Sequence, residues 1–432
     1  MRSNTWIRRL LAATGMLSLL AAPSALAGQE ALTSEECVSC HTLMGMPRIT
    51  EPAEAFANDI HAEVGLGCKD CHQGSGTSSD PHAGFRRAPE RGEIPELCGR
   101  CHSDAAYMRQ YDPGLRVDQL TEYWSSTHGT RLREENDPNV ATCVSCHPAH
   151  DIRPPEDLDS SVNPRNVVQT CANCHANQEL MAPYGIPTNQ VSDYRQSVHG
   201  LLLASGEVAA PACNDCHGNH GARPPGVSSV RNVCGQCHAL MADYFTQSGH
   251  QANFDLLGFP GCSTCHDHHA VEPATFANLT MRSAMVCPQC HLPDDPRGNA
   301  FAEMATLIDS LHLAAARSRD VLLRAEDLGM EVEQAIFDLE GANSILHRAL
   351  GNIHTFDVEL VGEATAEGHE LALAGMEAGL AALAEHKFRN MGLAASSAII
   401  LLLIGALLMK IKQIDAQMEE TAPSQGTPTE DR

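Results

Sequence analysis

The hydrophobic pattern divides the chain into stretches of different character. Residues 10–20 form an apolar run after Arg2, Arg8 and Arg9, and a second apolar run, residues 391–409, carries no charged side chain. Residues 28–297 contain every cysteine and show no long apolar period, whereas apolar side chains recur at three- and four-residue steps from residue 298 to about 390. The pattern therefore predicts a leader, a domain with little regular structure, a helical segment and a membrane span.

The N-terminal stretch has the three parts of a secretory signal peptide. A basic segment precedes the apolar run, and residues 25–27 read Ala-Leu-Ala, a small-x-small cleavage site. We expect residues 1–27 to be removed and the mature chain to begin at Gly28. The Arg8-Arg9 pair is also found in twin-arginine signals, but its flanking residues fit the general secretory route better.

The second apolar run is long enough to cross a bilayer as one helix. A buried core helix is the alternative, but the run is unusually long and uniformly Leu, Ile and Ala for that role. The signal peptide places residues 28–390 outside the cytoplasm, and Lys410 and Lys412 then follow the positive-inside rule. The prediction is one span at residues 391–409 of the cytoplasmic (inner) membrane, a periplasmic domain, and a cytoplasmic tail at residues 410–432.

The helical segment at residues 298–390 has an apolar seam typical of packed helices. The seam comprises Leu311, Ala315, Leu322, Ala325, Val332, Ile336, Leu339, Leu346, Leu350 and Ile353. A second helical stretch from about residue 358 offers Leu371, Leu373, Met376, Leu380 and Leu383 as a partner face. An antiparallel hairpin, or a stalk that forms a homodimer, fits both stretches.

Nine Cys-x-x-Cys-His motifs, numbered 1–9 along the chain, use all 18 cysteines. This motif is the attachment site of c-type haem, with both thiols bonded to the haem and the histidine bound to its iron. The sequence therefore predicts nine covalent haems c. Their cysteines are Cys37, Cys40, Cys68, Cys71, Cys98, Cys101, Cys143, Cys146, Cys171, Cys174, Cys213, Cys216, Cys234, Cys237, Cys262, Cys265, Cys287 and Cys290. Their histidines are His41, His72, His102, His147, His175, His217, His238, His266 and His291.

Three other uses of a Cys-x-x-Cys pair explain the pattern less well. A zinc site needs four ligands and does not require a histidine after each pair. A thioredoxin-like redox pair occurs once per domain. A disulfide framework suits an exported protein, but it gives no reason for nine identical spacings followed by nine histidines.

The cysteine-rich region contains an internal repeat. Residues 147–176 and 217–239 are two copies of one unit that carries two motifs, residues 248–291 form a weaker copy, and residues 61–102 form a degenerate one. We call these units modules; four modules and the leading motif 1 give nine. Repeats that contact mainly their neighbours form rows. With about 30 residues per haem, we expect short helices around the motifs, long loops and almost no sheet.

A second set of nine histidines alternates with the motifs and could bind each iron from the opposite side. This set consists of His61, His82, His128, His150, His199, His220, His250, His269 and His312. His269 is preferred over His268 because His150 and His220 also lie three residues after a motif histidine. His347 and His354 are rivals of His312, and Met44 or Met46 could serve motif 1. The helical segment is therefore either a plain spacer or a structure that docks on the last haems and supplies His312 or His354.

Iron bound by two histidines has no open position for a substrate, which favours electron transfer over catalysis and leaves no catalytic residue to name. The formal charge of −25 disfavours nucleic acid and suits a soluble domain or a basic redox partner.

Over residues 35–291 the doubled motifs resemble multihaem cytochromes c of the cytochrome c3-like and NapC/NirT-like superfamily. The resemblance implies covalent haem, bis-histidine iron and respiratory electron transfer. The C-terminal anchor and nine haems depart from the NapC/NirT pattern, which argues against direct quinol oxidation.

We therefore expect a membrane-anchored nonahaem cytochrome. It would relay electrons between the quinol pool, through a quinol-oxidising membrane protein or a donor cytochrome, and periplasmic redox partners. The alternatives are a multihaem reductase or hydroxylamine-type oxidase with one open haem, and a haem subunit of a larger respiratory complex.

Overall fold

The computed structural model describes residues 31–226, 230–275, 285–292 and 295–421 of the 432-residue chain. The predicted signal peptide and residues 422–432 of the predicted tail lie outside the described residues. Helices, turns and loops make up the described residues, which contain two isolated β-bridges and no strand. The expectation of a mostly helical protein without sheet is thus confirmed. The chain divides into two compact units, which meet in sequence at Asn163 and Pro164.

The first unit consists of short helices joined by loops. Its α-helices are α1 (Ser34–Met44), α2 (Pro47–Ala55), α3 (Ile60–Glu63), α4 (Cys68–His72), α5 (Ile94–His102), α6 (Ala105–Met108), α7 (Gln119–Ser125), α8 (Thr127–Glu134) and α9 (Cys143–Cys146). Two 3-10 helices are added, η1 (Phe56–Asn58) and η2 (Arg91–Glu93).

The second unit begins with short helices and ends with three long ones. The short helices are α10 (Pro164–His175), α11 (Gln178–Met181), α12 (Gln190–Gln196), α13 (Val198–Ala204), α14 (Cys213–His217), α15 (Val230–Gly235), α16 (Ala239–Gln247), α17 (Gly249–Leu257) and α18 (Gly261–His266). The 3-10 helices are η3 (Ala182–Tyr184), η4 (Cys287–Gln289) and η5 (Ile353–Thr355). The long helices are α19 (Pro296–Asp327), α20 (Glu333–Asn352) and α21 (Val358–Thr421).

The helical segment is a three-helix bundle rather than the expected hairpin of two. Gly362 lies against Leu307 and Gly368 against Leu311, so α19 and α21 run in the same direction. Helix α20 connects them along the chain and runs in the opposite direction. It follows a turn at Gly329, whose φ of +74° is a left-handed conformation that favours glycine. The turn divides the seam between α19 and α20.

The seam residues form the bundle core, as the pattern indicated. Leu311, Leu322 and Ala325 are fully buried, and Leu339 is 3% exposed. The predicted partner face of the second stretch is confirmed only in part, because Leu371 and Leu383 pack against the bundle core whereas Leu373 and Leu380 are 59% and 53% exposed. The face of α21 that packs inward also carries small residues, among them Ala364, Thr365, Gly368, Ala372, Gly375 and Gly379. Small side chains allow helices to approach closely, so steric fit as well as hydrophobicity determines this face.

Helix α21 continues beyond the bundle into the apolar run at residues 391–409. A window within Val358–Met418 is long and apolar enough to cross a membrane, and none of it is buried by the rest of the protein. Its large side chains, such as Leu402 at 74% exposure, face outward. This helix is therefore compatible with a single-pass membrane anchor.

A tight crossing between α12 and α13 yields a stability prediction. Ser197 caps α13 by accepting a hydrogen bond from Gly200 N (3.1 Å), and a Cβ on Gly200 would overlap the Tyr194 carbonyl oxygen. We expect Gly200→Ala to lower the free energy of unfolding by about 1–3 kcal/mol. Thermal unfolding followed by circular dichroism measures this change.

The matched control is Gly249→Ala, because a Cβ at Gly249 meets nothing within 4 Å. Alanine is a better helix former than glycine, so this variant should be neutral or slightly stabilised. Equal melting temperatures for the two variants would contradict the role assigned to Gly200.

Candidate haem-binding sites

Several motifs form a single helical turn that ends at the motif histidine. Helices α4 and α14 each begin at the first motif cysteine and end at the histidine, and α5 and α10 end at His102 and His175. Residues i, i+3 and i+4 share one face of a helix, so this turn directs both thiols and the imidazole to the same side.

The variable residues inside the motifs help to start these turns. The Asp70 carboxylate accepts a hydrogen bond from Gly67 N (2.6 Å), and Asp215 accepts one from Ala212 N (2.7 Å). Both acceptors satisfy an amide that the first helical turn would leave unpaired. The residue before the second cysteine therefore has a local structural role.

All 18 cysteines lie in the part of the chain that the structure describes, and all are free thiols. Both thiols of each motif are thus available for thioether bonds. The thiols of neighbouring motifs also meet within each unit. Electrostatic interactions pair Cys37 with Cys68 and Cys98 with Cys143 in the first unit, and Cys171 with Cys213 and Cys234 with Cys262 in the second.

Imidazole rings in the first unit form three pairs, each joining one motif histidine to one histidine of the second set. The ring centroids lie 6.1 Å apart for His41 and His82, 6.0 Å for His61 and His102, and 5.9 Å for His72 and His150.

The second unit contains four more pairs, three of the same composition and one in which a motif histidine faces His354, the rival of His312. Their centroid separations are 6.2 Å for His199 and His238, 6.0 Å for His217 and His269, 6.0 Å for His250 and His291, and 6.0 Å for His266 and His354.

The common separation has a simple chemical meaning. A metal–imidazole bond is about 2.0 Å long and the ring centroid lies roughly 1 Å beyond the nitrogen, so two rings on opposite sides of one metal are about 6 Å apart. All seven pairs fall within a few tenths of an ångström of that value. Rings packed directly face to face would be closer. The pairs therefore fit axial ligation of a haem iron.

Hydrogen bonds at Nδ1 support the same interpretation. Nδ1 of His72 bonds the Arg86 carbonyl oxygen (3.1 Å), and Nδ1 of His354 bonds the Gly351 carbonyl oxygen (3.0 Å). A carbonyl oxygen can only accept, so Nδ1 carries the proton and Nε2 keeps the lone pair that binds a metal. His217 makes the equivalent bond to Arg223 (3.2 Å).

Two ring pairs have a carboxylate at Nδ1 in place of a carbonyl. Asp59 Oδ1 lies 2.8 Å from His61 Nδ1 and is almost completely buried, whereas Asp295 Oδ2 lies 2.9 Å from His291 Nδ1 and is partly exposed. Burial alone would raise the pKa of Asp59, but hydrogen bonds from His61 and from the Ile152 amide hold it below its usual range. Asp59 is therefore an anion in contact with a histidine pair.

Burial also keeps several of the paired rings neutral. It lowers the pKa of His199, His250, His269 and His354, because a charged imidazolium loses its hydration there. A neutral imidazole is the form that binds a metal.

The second unit has a cavity next to one motif that could accept a flat group. Its volume is about 700 Å³, and Cys216, His217, Arg223, Pro224 and Val233 are among the residues that line it. This volume is typical of small-molecule and cofactor sites. The free thiols, the ring pairs and this cavity fit haem c.

The structure discriminates among the rival histidines. His269 faces His217, while His268 is exposed, with 71% of its side chain accessible. His82 faces His41, whereas Met44 and Met46 are each 52% exposed.

The last ligand differs from the one preferred on sequence. His312 and His347 are exposed on the bundle surface, and His354, in the turn η5, faces His266. His312 was preferred in part because a serine lies two residues before it, but both residues are exposed on the surface of α19.

Four further histidines complete the predicted set. His128 lies in the first turn of α8, His147 follows α9, His175 ends α10, and His220 is half-buried after α14.

The turn after α20 places the bundle against the last haem motifs. Phe356 has a left-handed backbone (φ +58°), and its ring centroid lies 3.9 Å from that of His250. Gly351 lies beside Met241 and Tyr244 of α16. Of the two roles expected for the helical segment, the placement fits docking on the last motifs rather than a plain spacer.

Comparison with known proteins gives one match. Residues 60–176, less than half of the chain, match the cytochrome c3 family. Searches of curated proteins and of solved structures found no match. The resemblance to the NapC/NirT group is not supported by these comparisons. The cytochrome c3 match, which spans motifs 2 to 5, supports a multihaem electron-transfer cytochrome with covalently bound c-type haem.

Proposed function

We propose that the protein is a membrane-anchored nonahaem cytochrome c that relays electrons between the cytoplasmic membrane and periplasmic redox partners. The observation that carries this proposal is the set of seven imidazole pairs at 5.9–6.2 Å, six of which join a motif histidine to one of the second set while the seventh joins His266 to His354. Haem c supplies one-electron chemistry at iron. The cysteines would tether it, and the paired histidines would hold the iron from both sides.

The paired rings favour electron transfer over catalysis at these seven positions. An iron held by two imidazoles offers no site for a substrate, whereas an enzyme needs at least one open position. Neighbouring motifs also come together through their thiols, as Cys98 and Cys143 do in the first unit and Cys234 and Cys262 in the second. Such contacts would bring successive haems close together, which a relay requires.

The length of α21 bears on how electrons would reach the second unit from the membrane. About 33 residues separate its first residue, Val358, from the apolar run at residue 391, which is roughly 50 Å of helix. His354 precedes the start of this helix, so the haem of motif 8 would stand far above the bilayer. This distance favours a donor protein, such as a quinol-oxidising partner or a donor cytochrome, over direct quinol oxidation at motifs 8 and 9.

The proposed location is the periplasmic side of the cytoplasmic membrane, with one span and a short cytoplasmic tail. The N-terminal signal sequence and Lys410 and Lys412 after the apolar run support this orientation. The charge of −25 suits a partner with a basic docking face, because opposite charges accelerate association.

The haem count is the direct test of the proposal. Intact-mass measurement of the mature protein should show nine covalently added haems and an N-terminus at Gly28. Iron analysis of the same sample should return nine irons and no stoichiometric zinc. Far fewer haems, or zinc in place of iron, would disprove the proposal. Substitution of both cysteines of motif 5, Cys171→Ala with Cys174→Ala, should remove one haem.

A second prediction concerns the ligand supplied by the bundle. His354→Ala should leave one iron with an open position, because its ring is the one that faces His266. Low-temperature EPR of the oxidised protein should then show one high-spin ferric signal that is absent from the unmodified protein. His312→Ala is the matched control, since His312 is an exposed histidine of the same bundle. High-spin iron in the His312 variant instead would reverse the assignment.

A further inference from the structure

The carboxylate of Asp59 connects the partner histidines of two haem motifs. Asp59 is 1% exposed. Its Oδ1 accepts hydrogen bonds from His61 Nδ1 (2.8 Å) and from His61 N (2.9 Å), and its Oδ2 accepts one from Ile152 N (2.9 Å). His61 faces His102 of motif 3, and Ile152 lies two residues after His150, which faces His72 of motif 2.

The module repeat provides an internal comparison for this position. Asp59, Ser126, Ser197 and Ser248 each stand two residues before a histidine of the second set. The serine hydroxyls bond to the backbone rather than to the histidine ring. Ser197 Oγ, for example, donates to the Tyr194 carbonyl oxygen (2.7 Å).

One backbone hydrogen bond beside Asp59 has a counterpart beside Ser197. Ile60 N donates to the Ile152 carbonyl oxygen at 2.8 Å in the first unit, and Val198 N donates to the Val271 carbonyl oxygen at 2.8 Å in the second. Ile152 and Val271 each lie two residues after the histidine that pairs with a neighbouring motif. The two sites therefore share this backbone contact and differ in that Asp59 brings a buried charge.

We propose that Asp59 is a positioning residue that lowers the reduction potential of the haem held by His61 and His102 below that of its counterpart held by His199 and His238. This inference rests on the proposed haem ligation. A carboxylate that accepts the Nδ1 proton makes the imidazole a stronger donor to iron. It also places a negative charge near the metal, and both effects stabilise ferric over ferrous iron.

The burial of Asp59 makes this effect larger than that of a surface carboxylate. Solvent and salt screen exposed charges, whereas a buried charge acts through a lower effective dielectric. Asp295 makes a similar bond to His291, but 31% of its side chain is exposed, so its influence should be weaker. The haem of motif 3 would therefore have a low reduction potential and would donate its electron readily to the next haem.

The test compares Asp59→Ser, which installs the residue of the other modules, with Asp59→Asn, which removes the charge at nearly constant size. A redox titration followed by EPR resolves the low-spin ferric signals. In both variants one signal should shift its midpoint to a more positive potential, with a change in its g values, while the others stay fixed. Asp104→Asn is the control, because Asp104 is an exposed helix-capping carboxylate two residues after His102; its midpoints should not move.

Unmoved midpoints in folded Asp59 variants would overturn the proposal and leave Asp59 a structural contact only. High-spin iron in both variants would also overturn it, because His61 would then need Asp59 merely to stay in place. Intact mass of each sample separates this failure from failure of the proposed function. A full haem complement with unchanged midpoints rejects the role of Asp59, whereas missing haems reject the nonahaem assignment itself.

Discussion

The separation of about 6 Å between paired imidazoles is the constraint on which the fold depends. Each pair must bring together two rings that are distant in sequence, such as His72 with His150 or His217 with His269. The short helices around the motifs have little apolar core of their own, and several, such as α1 and α4, contain no buried residue. Their arrangement is consequently governed by where the rings must meet.

The pairs follow a rule that repeats in each unit. The second motif of a module pairs with the histidine that precedes the module's first motif, as His102 does with His61 and His238 with His199. The first motif pairs with a histidine three residues past a motif histidine of the following module, as His72 does with His150. The modules of His72 and His217 thus each lack one ring that the following module provides. The last module has no successor, and His354 of the bundle faces His266 instead.

Much of the chemistry could be predicted from the sequence, because covalent attachment needs a fixed local spacing. The motifs, the helical segment and the preference for His269 all follow from short-range patterns. The partner of His266 could not be chosen by local context, because the choice between His312 and His354 depends on the turn between α20 and α21. The inward face of α21 was predicted only in part. Leu371 and Leu383 pack against the core as expected, but the leucine pattern gave no sign of the close contacts at Gly368, Gly375 and Gly379.

Repeat arrays need a distinct element at each end, because a terminal repeat has an unsatisfied face. At the C-terminal end this element is the bundle, and its connection to α21 gives it a second consequence. His354 lies in the turn that leads directly into the helix carrying the apolar run. The bundle cannot tilt away from α16 without separating His354 from His266 and Phe356 from His250. Under the proposed function, closure of the last ring pair would therefore also hold the last haem motifs at a fixed distance from the apolar run, as a relay from the membrane would require.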